Sequence, residues 1–144
     1  MTKDDLVSSA KSLEFQEKAA DDYSEKRGEM VSRVNSKMAS RDDIDFLIGE
    51  ANLEMMKDNH ANHGLFIESM LHSYNPEVLV ETIHWVFRAY KSRNFHDNYW
   101  AAQLNAWCMV IEDTLSEESA KAVLPLYHWM TVNIPQFNAL SEQS

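Results

Sequence analysis

The 144-residue chain has only three glycines, three prolines and one cysteine. A sheet-rich fold needs a turn about every ten residues, and turns draw on glycine and proline, so these numbers exclude one. The single thiol, Cys108, excludes a disulfide framework and any multi-cysteine zinc pattern. No run of lysine or arginine occurs, and the net charge is −10. Nucleic acid and anionic membrane both demand a basic face, so neither is expected as a partner. Long apolar runs are missing too. Met1 leads into the polar TKDD, with no secretory core and no spanning segment, which points to a cytoplasmic protein.

What is present is helix material. Apolar residues make up 44% and charged residues 25%, the usual mix for one globular domain. The expected fold class is all-α. Charge is unevenly spread: residues 1–58 carry 14 acids and 9 bases, residues 59–144 only 9 and 4. All the tryptophans (Trp85, Trp100, Trp107 and Trp129) lie in the second part. These contrasts divide the chain into a charged N-terminal helical extension, 1–38, and a packed domain, 39–144. The extension has a thin apolar series, Leu6, Ala10, Leu13, Met30, Val31, Val34 and Met38, with Gly28 as a candidate break. Such a series suits docking on the body or on a second subunit, hence the expectation of a homodimer through the N-terminal helices.

Periodicity then places four helices. Ser40 is expected to cap one over 41–73, with Asp42, Asp43 and Asp45 at its positive end. This helix is apolar on two faces. Ile44, Ile48, Ala51, Met55 and Phe66 form one; Met56, His63, Ile67 and Met70 form the other, with His60 at its edge. A helix of that kind lies mid-fold or lines a pocket. Tyr74-Asn75-Pro76 ends it, and helices follow over about 76–93, 97–115 and 117–133. Trp100, Leu104, Trp107, Cys108, Ile111 and Leu115 are in phase on the second of these, and Pro125 predicts a kink or a break in the third.

Several chemistries fall away. Glu81-x-x-His84 is half of a carboxylate-bridged di-iron pattern, but no second Glu-x-x-His occurs, so no metal ligands are assigned. Cys108 sits in an apolar stripe, where a thiol is inert, and three scattered glycines build no phosphate loop. A tetrapyrrole pocket fits better. It asks for a flat slot with aromatic walls, a few oriented polar groups, and cations for the propionates. His60, His63 and His84 supply polar groups, and Arg88, Lys91 and Arg93 form the basic cluster of the C-terminal part.

His63-Gly64 resembles the distal His-Gly pair of haem globins, with His84 on the following helix, where a proximal ligand would be sought. Over about residues 50–140 the chain also resembles the phycobiliproteins. Met55-Met56-Lys57-Asp58 stands where their bilin-attachment helix carries Cys-x-Arg-Asp. With YWAAQLNAW at 99–107 and PLYHWMTVNIPQF at 125–137, the chain looks like the bilin biosynthesis-associated globins. This resemblance implies a globin-like helical fold with an N-terminal extension. It also implies a non-enzymatic function, noncovalent bilin binding as a carrier or sensor, with bilin biosynthesis enzymes as partners. Met55 rules out a thioether at that position. By the same resemblance Asp58 would accept hydrogen bonds from pyrrole N–H groups, Lys57, Arg88 or Lys91 would pair with propionates, and His60 or His63 would touch the rings. Two alternatives stand beside it. One is a cofactor-free globin-like regulatory protein that works by dimerising, whose mark would be a solid core beside His63. The other is a haem globin ligated by His84.

Overall fold

A computed structural model describes residues 2–142, all of whose regular structure is helical. Met1, Gln143 and Ser144, which the two expected segments include, lie outside the described residues. The helices are α1 (Lys3–Ala10), α2 (Glu17–Ala39), α3 (Ile44–Ile48), α4 (Leu53–His72), α5 (Pro76–Lys91), α6 (Asn98–Thr114), α7 (Glu117–Val132) and α8 (Ile134–Ser141).

Several boundaries follow from local chemistry. Thr2 and Asp5 cap α1 reciprocally, each side chain accepting a backbone N–H from the other residue. Asn75 accepts from the backbone N–H of Glu77 and Val78, and Pro76, needing no N–H partner, opens α5. Ser116 caps α7 through the N–H of Ser119, as its place in SEES suggests. Pro125 lies inside α7, which runs on past it; the chain turns instead at Asn133, before Pro135 in the first turn of α8.

The expected helix over 41–73 is two helices, and Ser40 is the C-cap of α2 rather than an N-cap. Gly49 causes the split. At φ 80° and ψ 162° it holds a backbone conformation essentially closed to side-chain-bearing residues, and Ala51 follows at φ 65°. The break is tied down across the fold. The Asn52 amide donates to the carbonyls of Ile48 (2.7 Å) and Arg93 (2.9 Å), and the His96 N–H donates to the Leu47 carbonyl (2.8 Å).

The N-terminal segment is part of the core. α2 packs on α4, α6 and α7, and α1 packs on α5, which in turn packs on α8. Leu6, Ala10, Met30, Val34 and Met38 are all buried within the one chain. The thin apolar series is therefore consumed by the body, and the expectation of a dimer through these helices loses the surface it rested on. Gly28 sits exposed in an unbroken α2, because burial of Tyr23 before it and Met30 after it outweighs a propensity penalty of about 1 kcal/mol.

The α2–α4 contact is tight at Gly64. A Cβ there would come within 3.2 Å of both Arg27 Cγ and Val31 Cγ2. Gly64→Ala asks for a small shift and gains helix propensity, so it is expected to be near neutral. Gly64→Leu must wedge the two helices apart and should cost about 1–3 kcal/mol in urea denaturation. Equal stability of the Leu and Ala variants would contradict this crossing.

Candidate functional site

One face of α4 carries Asn59, Asn62, His63 and Phe66, spaced by three or four residues and so aligned along the helix. α5 presents Thr82, Ile83, Val86, Phe87 and Tyr90 by the same rule, with Trp85 at the edge. Trp100, Gln103 and Leu104 of α6 and Met130 of α7 close the far end. Together these side chains line a slot of about 280 Å³. That volume is just below the roughly 300–1,000 Å³ usual for small-molecule pockets. Aromatic contacts stiffen its walls. Phe87 stacks on Trp100 with centroids 4.4 Å apart, and Tyr90 meets Trp100 edge-on at 5.9 Å. Trp85 is 68% exposed, a large apolar ring left in solvent beside the slot.

His63 is the histidine of the slot. Its Nε2 lies 2.8 Å from the Tyr127 hydroxyl, which lies 2.8 Å from the Tyr23 hydroxyl, so a hydrogen-bond chain runs from the slot into the core. The ring is 4.7 Å from Trp107. These surroundings cannot solvate a charge. Burial, with the nearby His60 second, pushes the imidazole pKa down to about 3. His63 is thus a neutral polar group.

His60, one turn earlier, points elsewhere. It is fully buried, with Nδ1 2.6 Å from the Asn35 side-chain amide and Nε2 3.0 Å from the Tyr99 hydroxyl; Tyr99 itself donates to Asn59 Oδ1 at 2.7 Å. Proton counting fixes the direction. Asn35 presents Oδ1, which can only accept, so a neutral His60 donates from Nδ1 to it; Nε2 is then the acceptor nitrogen, and the single Tyr99 hydrogen is shared between Asn59 Oδ1 and His60 Nε2. Burial lowers the His60 pKa to about 4.

The other expected ligands do not converge on the slot. His84 bonds the Leu140 carbonyl at 3.3 Å, pinning α5 to α8. Together with Arg88 it borders a separate shallow depression, shared with Lys3 and Glu81, which are paired at 3.1 Å. Lys57 lies 3.6 Å from Glu54 on the surface. Asp58 is exposed, near enough to the slot residue Tyr90 to help raise its pKa behind the larger effect of burial. Lys91 is held by Glu142 at 2.8 Å. Of the residues expected to bind a cofactor, only His63 lines the slot. Cys108 is half-buried and its thiol pKa is pushed up to about 11 by burial, the protonated, unreactive form. Among the described residues no group of three or more His, Cys, Asp or Glu side chains is placed to hold a metal ion.

Sequence reasoning missed Asn59 and Gln103. The Gln103 side chain is buried and its Nε2 has no hydrogen-bond partner among the described residues. The signal was readable: Gln103 interrupts the stripe between Trp100 and Leu104, and a carboxamide on an apolar face needs a reason. Compared with family models, curated proteins and solved structures, the chain matches none of them.

His60, fully buried, and His63, half-buried with its ring against Trp107 and Tyr127, set a pH dependence. Their folded-state pKa values lie below the ordinary 6.5. Unfolding therefore takes up protons as pH falls below 6.5. The stability they contribute is complete above that pH and is lost progressively towards about 4 for His60 and about 3 for His63. In urea denaturation between pH 7.5 and 5, each is expected to steepen the loss by up to about 1.4 kcal/mol per pH unit. His60→Gln and His63→Gln should each flatten the profile; variants as steep as the parent chain would refute neutral burial.

Proposed function

We propose that this is a non-enzymatic, globin-like binding protein that takes a flat, largely apolar ligand noncovalently between α4 and α5. The slot beside His63 carries the reading. A cofactor-free regulatory globin calls for a core packed solid there, and about 280 Å³ of space is present instead. The packing of α2 on α4 and α6, of α6 on α7 and of α5 on α8 is compatible with a globin-like arrangement.

A bilin remains the ligand the sequence resemblance suggests. The slot is too small for all four rings, so it would enter by one end, with its propionates left outside in water. The haem alternative draws no support from this geometry. His84 lies outside the slot, and His63 already has Tyr127 on Nε2.

Adding biliverdin to the purified protein should shift and sharpen its visible absorption band. Val86→Trp, which fills the slot from α5, should abolish the change. An unchanged spectrum at excess biliverdin would remove bilin as the ligand; an identical change in the Val86→Trp chain would move the binding site elsewhere.

A further inference from the structure

The slot has fourteen lining residues, none of them Asp, Glu, Lys or Arg. A carboxylate or ammonium group entering it would leave water without meeting an opposite charge, and that desolvation is costly. His63 gives no help, since the imidazole stays neutral. What the slot does contain is amide. Asn59 accepts the Tyr99 hydroxyl on Oδ1 and hydrogen-bonds the Tyr90 side chain, so it is already partnered. Gln103, 1% exposed, has an Nε2 with no partner among the described residues. A buried N–H without an acceptor costs about as much as a hydrogen bond is worth, and a ligand that supplies the acceptor recovers that cost on binding. The walls select for shape: Phe66, Phe87, Tyr90 and Trp100 offer flat rings at helix-to-helix spacing.

We infer that the group inserted in this slot is uncharged and planar and carries a carbonyl-type acceptor that hydrogen-bonds the Gln103 amide. The inference rests on the slot being the binding site, and it specifies which chemistry the slot accepts. Gln103 acts as a specificity-determining residue: it discriminates between ligands of one shape by whether they bear an acceptor.

Three naphthalenes of similar size test this by calorimetric titration: 1-acetylnaphthalene (neutral, with an acceptor), 1-ethylnaphthalene (neutral, without one) and 1-naphthoate (charged). In the parent chain the ketone should bind about tenfold tighter than the hydrocarbon, the ratio expected when one buried donor is satisfied or left unpaired. The carboxylate should bind at least about tenfold more weakly than the ketone. In Gln103→Met, which keeps the length and removes the donor, ethylnaphthalene binding should survive while the preference for the ketone collapses to within about twofold. Equal binding of ketone and hydrocarbon in the parent chain, or naphthoate binding as tightly as the ketone, would overturn the inference and leave the slot reading standing. An undiminished preference in Gln103→Met that still binds ethylnaphthalene would also overturn it. If none of the three binds the parent chain, the slot reading itself falls and the inference with it. Should Gln103→Met fail to fold, the three-ligand ranking in the parent chain decides the matter alone.

Discussion

The close crossing of α2 over α4 at Gly64 is the constraint on which the rest of the architecture depends. Without a side chain at that point the two helices approach until Arg27 and Val31 rest against the α4 backbone. This places α4 with one face against α2 and an adjacent face towards α5, so the helix is covered on two sides. Residues one turn apart then reach different environments. His60 turns towards Asn35 and Tyr99, while His63 turns towards Tyr127 and the slot. A bulky residue at position 64 would part the helices and move both histidines. The His-Gly pair, which in sequence resembled the distal pair of haem globins, places a close-packing glycine next to a slot residue.

Neutrality is the second organising property. The chain is acidic overall, yet the residues lining the slot include no Asp, Glu, Lys or Arg. The charged pair nearest the α2–α4 contact, Arg27 and Glu68, is half-buried and mutually paired at 3.5 Å. The polar groups around α4 include the imidazoles of His60 and His63, the hydroxyls of Tyr23, Tyr99 and Tyr127 and the amides of Asn35, Asn59 and Gln103, most of them bonded to one another. Burial pushes Tyr23, Tyr99 and Tyr127 up just as it pushes His60 and His63 down, so all five stay uncharged across the ordinary pH range. A core of this type holds its polar groups by hydrogen-bond geometry rather than by ion pairing, which suits a slot that discriminates by shape and by acceptors. The basic side chains on which a tetrapyrrole reading leaned lie on the surface instead, paired with Glu54 and Glu142 or beside the separate depression near His84.

The helical class and most helix boundaries were legible because they depend on local signals. Asn75-Pro76 and Ser116 act within one turn of themselves, and the stripe Trp100, Leu104, Trp107 and Ile111 is a periodicity of one helix. Three features were not legible, each for a tertiary reason. The break at Gly49–Asn52 is fixed by bonds to Arg93 and by the contact of His96 with Leu47, distant partners that a reading of one window cannot supply. The burial of α2 was hidden by its many charges: Tyr23, Met30, Val34 and Met38 make a narrow stripe, sufficient only because three other helices close on it. The slot lining was hidden because charged and histidine side chains attract notice, whereas Gln103 stands out only once the assembled helices leave its Nε2 without a partner among the described residues.

Occupancy of the slot need not remain a local event. His63 touches the slot with one edge of its ring and bonds Tyr127 with Nε2; Tyr127 bonds Tyr23, which is buried on α2 and stacked over Trp107 at 6.3 Å. Each hydroxyl in this chain has one hydrogen to give, so its donors must run in a common direction. If Tyr127 donates to His63, the ring carries its proton on Nδ1; if His63 donates from Nε2, Tyr127 must donate to Tyr23. A ligand that favours one tautomer of His63 therefore selects the direction of the hydroxyl hydrogens as far as α2, over two bonds of 2.8 Å each. The energy involved is that of exchanging near-equivalent hydrogen bonds, so the coupling is small. It nevertheless links the slot by a contiguous bonded route to the helix that packs against α4, α6 and α7.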